Sequence, residues 1–489
     1  MPKQYRDWAP HQSLLLPRSL HDWLPEGHFA YFVLDAVEEL DISPIERAIH
    51  AKDPRGTRPY APRMMVALLV YAYAEGVFSS RRIARACSEN VAFRVITGDS
   101  QPHFTAIAAF RRTHRAAFEP LFREVLRLCD EAGMVRGQHV HIDGTKIKAN
   151  ASKHKAMSYE GMKKAEERLQ KEVDALLDRA EATDGEEDAR LGDKLDESQL
   201  KSEVERRETR RAWIRRNREE LEAETRRARA AELRERADAR RTQAEMDVDP
   251  KKEARHREQA AADEEKAAKL DPDPPEAPSP TEALPLHRPA HTADGKPKPE
   301  AQRNFTDPDS RIMQGKQGAY EQAYNGQIVV DESGHVILAH GLSNQASDTE
   351  YLPSMLARTI ANLDEAPESI TGDAGYFSKK NLRSALHQDV TPYLATGRER
   401  RSWPPPTPAE GAPPRGSDAR TWMAHMLRTE QGQRQMRKRK STVELVFGCI
   451  KAAMGFRTFM LRGLEKVRAE WALVCLAYNV RKLHHPDLA

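Results

Sequence analysis

The fold of this chain is decided by the stretch HVHIDGTKI at residues 139–147. Apolar and polar side chains alternate along it, which is the pattern of a β-strand with one buried face. Because successive side chains point to opposite faces, His141, Asp143 and Thr145 share one side of that strand. The stretch therefore predicts the start of a sheet that carries an aspartate near the middle of its first strand.

More strands are predicted after residue 325. The segments GQIVVD (326–331) and HVILA (335–339) flank a Glu-Ser-Gly turn and predict a hairpin. A helix follows, capped at Ser347 or Asp348. Strand, helix and strand come next, at residues 369–373, 379–386 and 390–395. This order predicts an α/β fold: a mixed sheet flanked by helices, in the manner of a ribonuclease H core.

The region before the first strand is predicted to be helical. Apolar residues recur at steps of three and four from Ile107 to Leu128, which predicts one long amphipathic helix. A shorter helix begins at Ser79-Ser80, and residues 98–102 break the chain between the two. The pattern fits a helix-turn-helix whose Arg81 and Arg82 contact DNA. It fits equally a plain bundle with a solvated face formed by Arg81, Arg82, Arg85, Arg111 and Arg112.

Residues 152–303 are predicted to form an insertion. From about residue 159 to 270 the chain is dominated by Glu, Lys, Arg and Ala, which predicts long exposed helices or a coiled coil. Residues 271–299 are dense in Pro and Ala, which is typical of a disordered linker. We therefore expect three regions: an N-terminal helical domain, an α/β domain in two pieces, and the insertion, at residues 1–136, 137–151 with 304–489, and 152–303.

Composition excludes several classes of protein. The four cysteines among the 489 residues show no CxxC spacing, which argues against a zinc module or a disulfide framework. The longest apolar stretch, residues 64–74, is shorter than the ~20 residues needed to span a bilayer. Residues 1–16 lack the pattern of a secretion signal. We expect a soluble cytoplasmic protein without a membrane partner.

Three carboxylates are candidates for a metal site. Asp143 lies in the first strand, Asp373 ends a later strand before Ala374-Gly375, and Glu444 precedes an apolar run. Transfer of a phosphodiester requires charge to be neutralised on two oxygens, which two Mg²⁺ ions about 3.5–4 Å apart do, held by hard oxygen ligands. A turn residue is the other explanation for Asp373. A Ser-x-x-Glu capping box is the other explanation for Glu444.

Basic residues surround Glu444 in the sequence. At 100° per residue, Glu444 and Lys451 lie on one flank of an apolar stripe formed by Val443, Val446, Phe447, Ile450 and Met454. A cluster of charges precedes them, at Arg434, Arg437, Lys438, Arg439 and Lys440. The cluster fits contact with a phosphate backbone, and it fits a solvated run of charges equally well.

Four segments together carry a family resemblance. They are HIDGTKIKANAS (141–152), NFTDPDSR (304–311), GDAGY (372–376), and TVE (442–444) continuing through FG to Lys451. This combination resembles that of insertion-sequence DDE transposases of the eleven-eighty-two group, within the insertion-sequence-four/five type superfamily. The resemblance covers the N-terminal helical region and everything from residue 137 onward, leaving most of the insertion uncovered.

The resemblance implies that Asp143, Asp373 and Glu444 bind two Mg²⁺ or Mn²⁺ ions, with Asp143 bridging them. It implies that water frees a 3′-hydroxyl at the element's end, which then attacks target DNA. Lys451 would hold a phosphate near the cut, and Tyr376 and residues 304–311 would position DNA. A plain loop is an equally good explanation for residues 304–311. The expected partners are the transposon's terminal repeats, target DNA and further copies of this chain, in a bacterial cytoplasm.

One departure from the superfamily pattern concerns the residues before Glu444. The superfamily has a Tyr and an Arg where this chain has Arg437 and Lys440. A role for Arg437, Arg439 and Lys440 in DNA binding is therefore a hypothesis. Two alternative functions stay open: a nuclease of the same core that does not join DNA, and a DNA-binding protein that has lost catalysis. Retention of all three carboxylates weighs against the second.

Overall fold

A computed structural model describes residues 19–51, 58–187, 197–247, 249–276, 279–315, 318–397, 408–414 and 416–485. Residues 1–16, where a secretion signal was considered, lie outside the described ranges. The helices are α1 (Phe29–Glu38), α2 (Ser43–His50), α3 (Pro62–Ala74), α4 (Ser80–Glu89), α5 (Val91–Ile96), α6 (Phe104–Thr113), α7 (Phe118–Glu131), α8 (Tyr159–Glu187), α9 (Glu197–Met246), α10 (Pro250–Leu270), α11 (Leu352–Leu363), α12 (Lys379–Leu386), α13 (Ala419–Arg428), α14 (Glu430–Gly448) and α15 (Leu464–His484). The strands are β1 (His139–Lys148), β2 (Ala156–Ser158), β3 (Gln302–Asn304), β4 (Arg311–Gln314), β5 (Tyr320–Asp331), β6 (Ile337–Ser343), β7 (Ser369–Gly372) and β8 (Thr391–Leu394).

A mixed six-stranded sheet forms the centre of the fold. Its order is β4-β5-β1-β7-β8, and β6 also pairs with β5. β1 runs antiparallel to β5 and parallel to β7, and β7 runs parallel to β8. The predicted mixed α/β architecture is confirmed. The sequence did not predict β4 or the small antiparallel pair of β2 and β3.

The N-terminal helices and the sheet share one apolar core. Helix α15 is buried along most of its length and contacts α3, α7 and β6. Three buried polar side chains join these parts of the chain: Tyr73 Oη donates to Glu470 Oε1 at 2.9 Å, and Arg111 Nη1 donates to Tyr73 Oη at 2.6 Å. Burying such charges is unfavourable unless they are paired. The trio therefore fixes α3, α6 and α15 relative to one another.

The single long helix predicted after residue 104 is wrong. Helix α6 ends at Thr113, a 3₁₀ turn occupies Arg115–Ala117, and α7 starts at Phe118. The two helices have different neighbours, because α6 packs on α4 whereas α7 packs on α15. The predicted solvated position of Arg111 is also wrong, since its guanidinium is buried against Tyr73 and the carbonyl of Phe78.

The insertion contains the long helices that its composition predicts. Helix α8 packs on the first half of α9, where Glu166 pairs with Arg215 and Arg218. Helix α10 packs on the second half. The middle of α9 is joined to the rest of the protein by Arg303, which pairs with Glu220 and Glu224 at 2.8 and 2.9 Å.

The prediction of a disordered linker at residues 271–299 is wrong for the part that the structure describes, 271–276 and 279–299. Leu284 is only 7% exposed and belongs to the main core. The neighbouring carbonyls of Thr281 and Ala283 accept hydrogen bonds from Arg358 and Ser354 of α11. These partners lie about 70 residues away in sequence, so the composition of the segment does not reveal them. None of the described helices has the length and apolar character needed to cross a membrane.

Candidate metal centre

The pairing of β1 with β7 brings two predicted site residues together. The parallel register aligns His139 with Ser369 and His141 with Thr371. Continued by two residues, that register places Asp143 beside Asp373, which follows the last residue of β7. Both strands lie inside the sheet rather than at its edge. The two carboxylates are therefore held side by side on rigid elements.

Asp143 lies in an environment that disfavours its charge. Burial raises its pKa to about 6, Arg439 and the Gly144 N–H oppose that rise, and the charges of Asp373 and Asp348 add to it. Its Oδ1 accepts from Gly144 N at 2.8 Å, and its Oδ2 lies 3.5 Å from Arg439 Nη1. A carboxylate crowded by other carboxylates is stabilised in its charged form by a nearby cation. This environment suits a ligand of a divalent ion.

Asp373 begins a short turn directly after β7. Its Oδ1 accepts from Gly375 N at 2.8 Å, as expected for a turn residue. The turn places Tyr376 beneath the carboxylates, where its hydroxyl donates to Gln327 Oε1. Tyr376 is 0% exposed. The predicted contact of Tyr376 with DNA is therefore wrong, and this side chain instead supports the floor of the site.

A third aspartate, Asp348, lies beside these two and was missed as a site residue. It accepts from Lys146 Nζ at 3.1 Å, Asn325 Nδ2 at 2.7 Å and Gln327 Nε2 at 2.9 Å. The sequence indicated Asp348 as a candidate helix cap, but α11 begins at Leu352 with a proline in its first turn. Only the pairing of β1 with β5 brings its partners together. No local signal in the sequence could have identified it.

The capping explanation for Glu444 is wrong. Helix α14 begins at Glu430 and is capped by Thr429, whose Oγ1 accepts from Gly432 N at 3.1 Å. Glu444 therefore lies within the helix, where it is exposed, while its neighbour Val443 is buried against the core. The helix itself contacts β1 and β7. In the described ranges, no three His, Cys, Asp or Glu side chains converge closely enough to hold a metal ion.

The basic cluster before Glu444 divides into two groups. Arg439 is 9% exposed and directs its guanidinium toward Asp143, so its predicted role as a DNA contact is wrong. Lys438 pairs with Glu332 at 3.2 Å. Lys438 is exposed as well, and the remaining members, Arg434, Arg437 and Lys440, are exposed and form no ion pair with the residues that the structure describes.

The other residues predicted to contact DNA are Lys451 and the pair Arg81 and Arg82, which lie in two different parts of the fold. Lys451 Nζ donates to Thr145 Oγ1 and to the carbonyl of Lys146 at 3.4 Å, so it reaches β1 close to Asp143. Arg81 and Arg82 are exposed on α4, with the Arg81 guanidinium 4.8 Å from the centroid of the Phe104 ring. The structure thus places Lys451 beside β1, at a residue two positions from Asp143, and the two arginines on the N-terminal helices.

Comparison with known families gives two matches. A family described as the transposase DDE domain matches residues 290–480, which include Asp373, Glu444 and Lys451 but not Asp143. A family described as a transposase domain (DUF772) matches residues 18–113. No curated protein and no solved structure matches the chain. Two separate parts of the chain, residues 18–113 and 290–480, are thus each similar to a transposase domain.

Proposed function

We propose that this chain is a DDE transposase of the eleven-eighty-two group that cleaves transposon ends and joins them to target DNA. Asp143, Asp373 and Glu444 would hold two Mg²⁺ or Mn²⁺ ions. The observation that carries the proposal is the β1–β7 register, which sets Asp143 beside Asp373 in the middle of the sheet. The sheet contains the β5–β6 hairpin, followed in order by β1, β7 and β8, and this order supports a ribonuclease H-like core.

The residues present fit a hard divalent ion. Carboxylate oxygens are the preferred ligands of Mg²⁺ and Mn²⁺. Burial and the charges of Asp373 and Asp348 raise the pKa of Asp143 despite the nearby Arg439, and a bound cation would favour its charged form. Bound ions would neutralise charge on the attacking and leaving oxygens of a phosphodiester. Asp143, Asp373 and the neighbouring Asp348 each accept a hydrogen bond from a backbone or side-chain N–H. A carboxylate has about four lone-pair positions on its two oxygens, so these hydrogen bonds leave lone pairs for an ion.

The surrounding residues would bind and orient the DNA. Lys451 lies close enough to β1 to hold a phosphate beside Asp143, and the exposed Arg437 and Lys440 extend that charge along α14. Arg439 would hold the Asp143 carboxylate in place from the side of α14. Water would attack first and release a 3′-hydroxyl, which would then attack target DNA. Neither step needs a covalent intermediate on the protein.

The proposed regions of the chain have separate tasks. Residues 1–136 would bind DNA, with Arg81 and Arg82 among the contacts, and residues 137–151 with 304–489 would form the catalytic domain. The insertion at 152–303 interrupts the catalytic domain after β1. Assembly of several copies on DNA would bring two transposon ends together.

A joining assay tests the proposal. The substrate is a duplex from the DNA flanking the gene, cut in advance to expose the 3′-hydroxyl, and the target is a supercoiled plasmid. We expect joined products in Mn²⁺, and none in EDTA or with the Asp373→Asn variant. Cleavage without joining would favour the alternative function, a nuclease of the same core that does not join DNA. Joined products that form equally well in EDTA would contradict a metal site at these carboxylates.

A further inference from the structure

A basic, partly aromatic cleft lies where the insertion meets the α/β domain. Its cavity has a volume of about 720 Å³ and is bounded by α9 on one side and by the chain around β2 and β3 on the other. The side chains that give it its character are Lys155, Arg206, Arg210, Trp213, Phe305 and Arg462. The metal centre described above uses none of them.

The positive charge of the cleft is not neutralised. No carboxylate is found among the described residues that line it. Other arginines of α9 pair with glutamates, as Arg207 does with Glu172 and Arg216 with Glu220. Arg206 and Arg210 are exposed and form no ion pair within the described part of the chain. Unpaired arginines facing a common cavity attract a polyanion such as a phosphate backbone.

An aromatic side chain lies among these charges. Trp213 is 45% exposed, although it is one of the largest apolar side chains on the insertion. Its ring meets that of Phe305 at a centroid distance of 4.7 Å and an angle of 48°, which leaves the rest of the indole open to the cavity. An aromatic face between basic groups is the arrangement on which unpaired bases stack. The volume lies in the ~300–1,000 Å³ range of small-molecule pockets, so the cleft has room for an unpaired base and its adjoining phosphates.

A second cavity connects this cleft to the end of β1. Its volume is about 640 Å³, and it shares His154, Lys155 and Arg462 with the first. It extends to Lys148, the last residue of β1. Asp143 is five residues earlier on that strand, a distance of about 17 Å at ~3.3 Å per residue. A DNA strand that passes the carboxylates is thus within a few nucleotides of the cleft.

We propose that the cleft between α9 and the α/β domain binds unpaired nucleotides of a DNA strand. Trp213 stacks on a base, and Arg206 and Arg210 contact the adjoining phosphates. The insertion is then part of the DNA-binding surface rather than a passive spacer. This inference rests on the proposed function, because it takes DNA to be the substrate of the neighbouring carboxylates.

The test is binding of a fluorescein-labelled 12-nucleotide single strand and of the matching duplex, followed by anisotropy. The full chain is used in EDTA, so that cleavage does not interfere. We expect Trp213→Ala and the double variant Arg206→Gln/Arg210→Gln each to bind the single strand roughly tenfold more weakly, a change of ~1.4 kcal/mol. Trp213→Phe should retain most of the affinity. The matched control is Arg216→Gln/Arg241→Gln, which removes the same charge from paired positions of α9 outside the cleft.

Two results would contradict the binding of unpaired nucleotides by the cleft. One is that the cleft variants bind the single strand as tightly as the control does. The other is an equal loss of affinity for single strand and duplex, which would indicate general charge attraction without stacking. The proposed function fails by a different result, namely loss of metal dependence in the joining assay. The two failures are therefore distinguishable.

Discussion

Asp143 is the residue whose chemistry is most constrained by its surroundings. The folded protein keeps this carboxyl protonated up to about pH 6, whereas the unfolded chain releases the proton near the ordinary value of 3.8. The folded state binds more protons than the unfolded state between these pH values. The free energy of unfolding therefore falls as pH rises through that window. A bound divalent cation would reverse this effect by favouring the charged form.

Asp143→Asn should accordingly stabilise the protein when metal is absent. At pH 7.5 in EDTA we expect its free energy of unfolding by urea to exceed that of the wild type by on the order of 2 kcal/mol. The difference should shrink as pH falls toward 4. Mg²⁺ should stabilise the wild type but not the variant. A variant that is less stable than the wild type at pH 7.5 in EDTA would contradict this account of the carboxyl.

Glu444→Gln separates the metal role of Glu444 from any structural role. The side chain is exposed within α14 and caps nothing, so the change should alter the free energy of unfolding by less than ~0.5 kcal/mol. If Glu444 is a ligand, cleavage should fall at least a hundredfold while DNA affinity stays near that of the wild type. Cleavage at an unchanged rate would remove Glu444 from the site. Asp348 would then be the next carboxylate to test, because it lies beside Asp143 and Asp373.

At the scale of elements, we expect the core to tolerate the loss of the long helices of the insertion better than the loss of the segment that follows α10. Residues 279–299 follow α10 in the chain and bury Leu284 against Gly341, where a Cβ would lie 3.1 Å from the leucine side chain. The same segment accepts hydrogen bonds from α11. We therefore expect the stability of the sheet to depend on the end of the insertion more than on its long helices.

Two deletions test this division. Replacing residues 163–268 with a flexible linker keeps the segment around Leu284, whereas replacing residues 159–299 removes it. We expect the longer deletion to be less stable to urea by a further ~2–4 kcal/mol, because burial of a leucine and its neighbours is lost. Leu284→Ala in the full chain is the matched point variant. Equal stability of the two deletions would show that the segment does not support the core.

Besides Lys438, which pairs with Glu332, helix α14 presents three exposed basic residues on the side away from its buried face. Neutralising Arg434, Arg437 and Lys440 together should weaken binding to duplex DNA and flatten its salt dependence. The slope of log affinity against log salt should fall by up to ~3, since each phosphate contact contributes about 0.9. The control removes three exposed charges elsewhere, at Arg115, Arg127 and Lys269. The same slope in both triple variants would mean that the α14 charges are only solvated.

At the scale of the whole molecule, periodicity predicted the sheet but not the contacts between distant segments. The alternation around Asp143 and the strand before Asp373 were enough to place each carboxylate on a strand, whereas only the family resemblance grouped the two at one site. The break at His114 was missed because α6 and α7 pack on different helices, which an apolar repeat does not encode. Asp348 and Arg439 were misassigned for the same reason. Their partners Lys146 and Asp143 lie about 200 and 300 residues away in sequence.

The claim that Asp143 and Asp373 share a divalent ion is tested most directly by Mn²⁺ binding to the full chain, measured by calorimetry without DNA. Asp143→Asn and Asp373→Asn should each weaken Mn²⁺ binding at pH 7.5 at least tenfold, since each removes a charged oxygen ligand. The matched control, Asp130→Asn, changes an exposed aspartate on α7 and should bind as the wild type does. Equal Mn²⁺ affinity in all four proteins would contradict a metal centre at these two carboxylates.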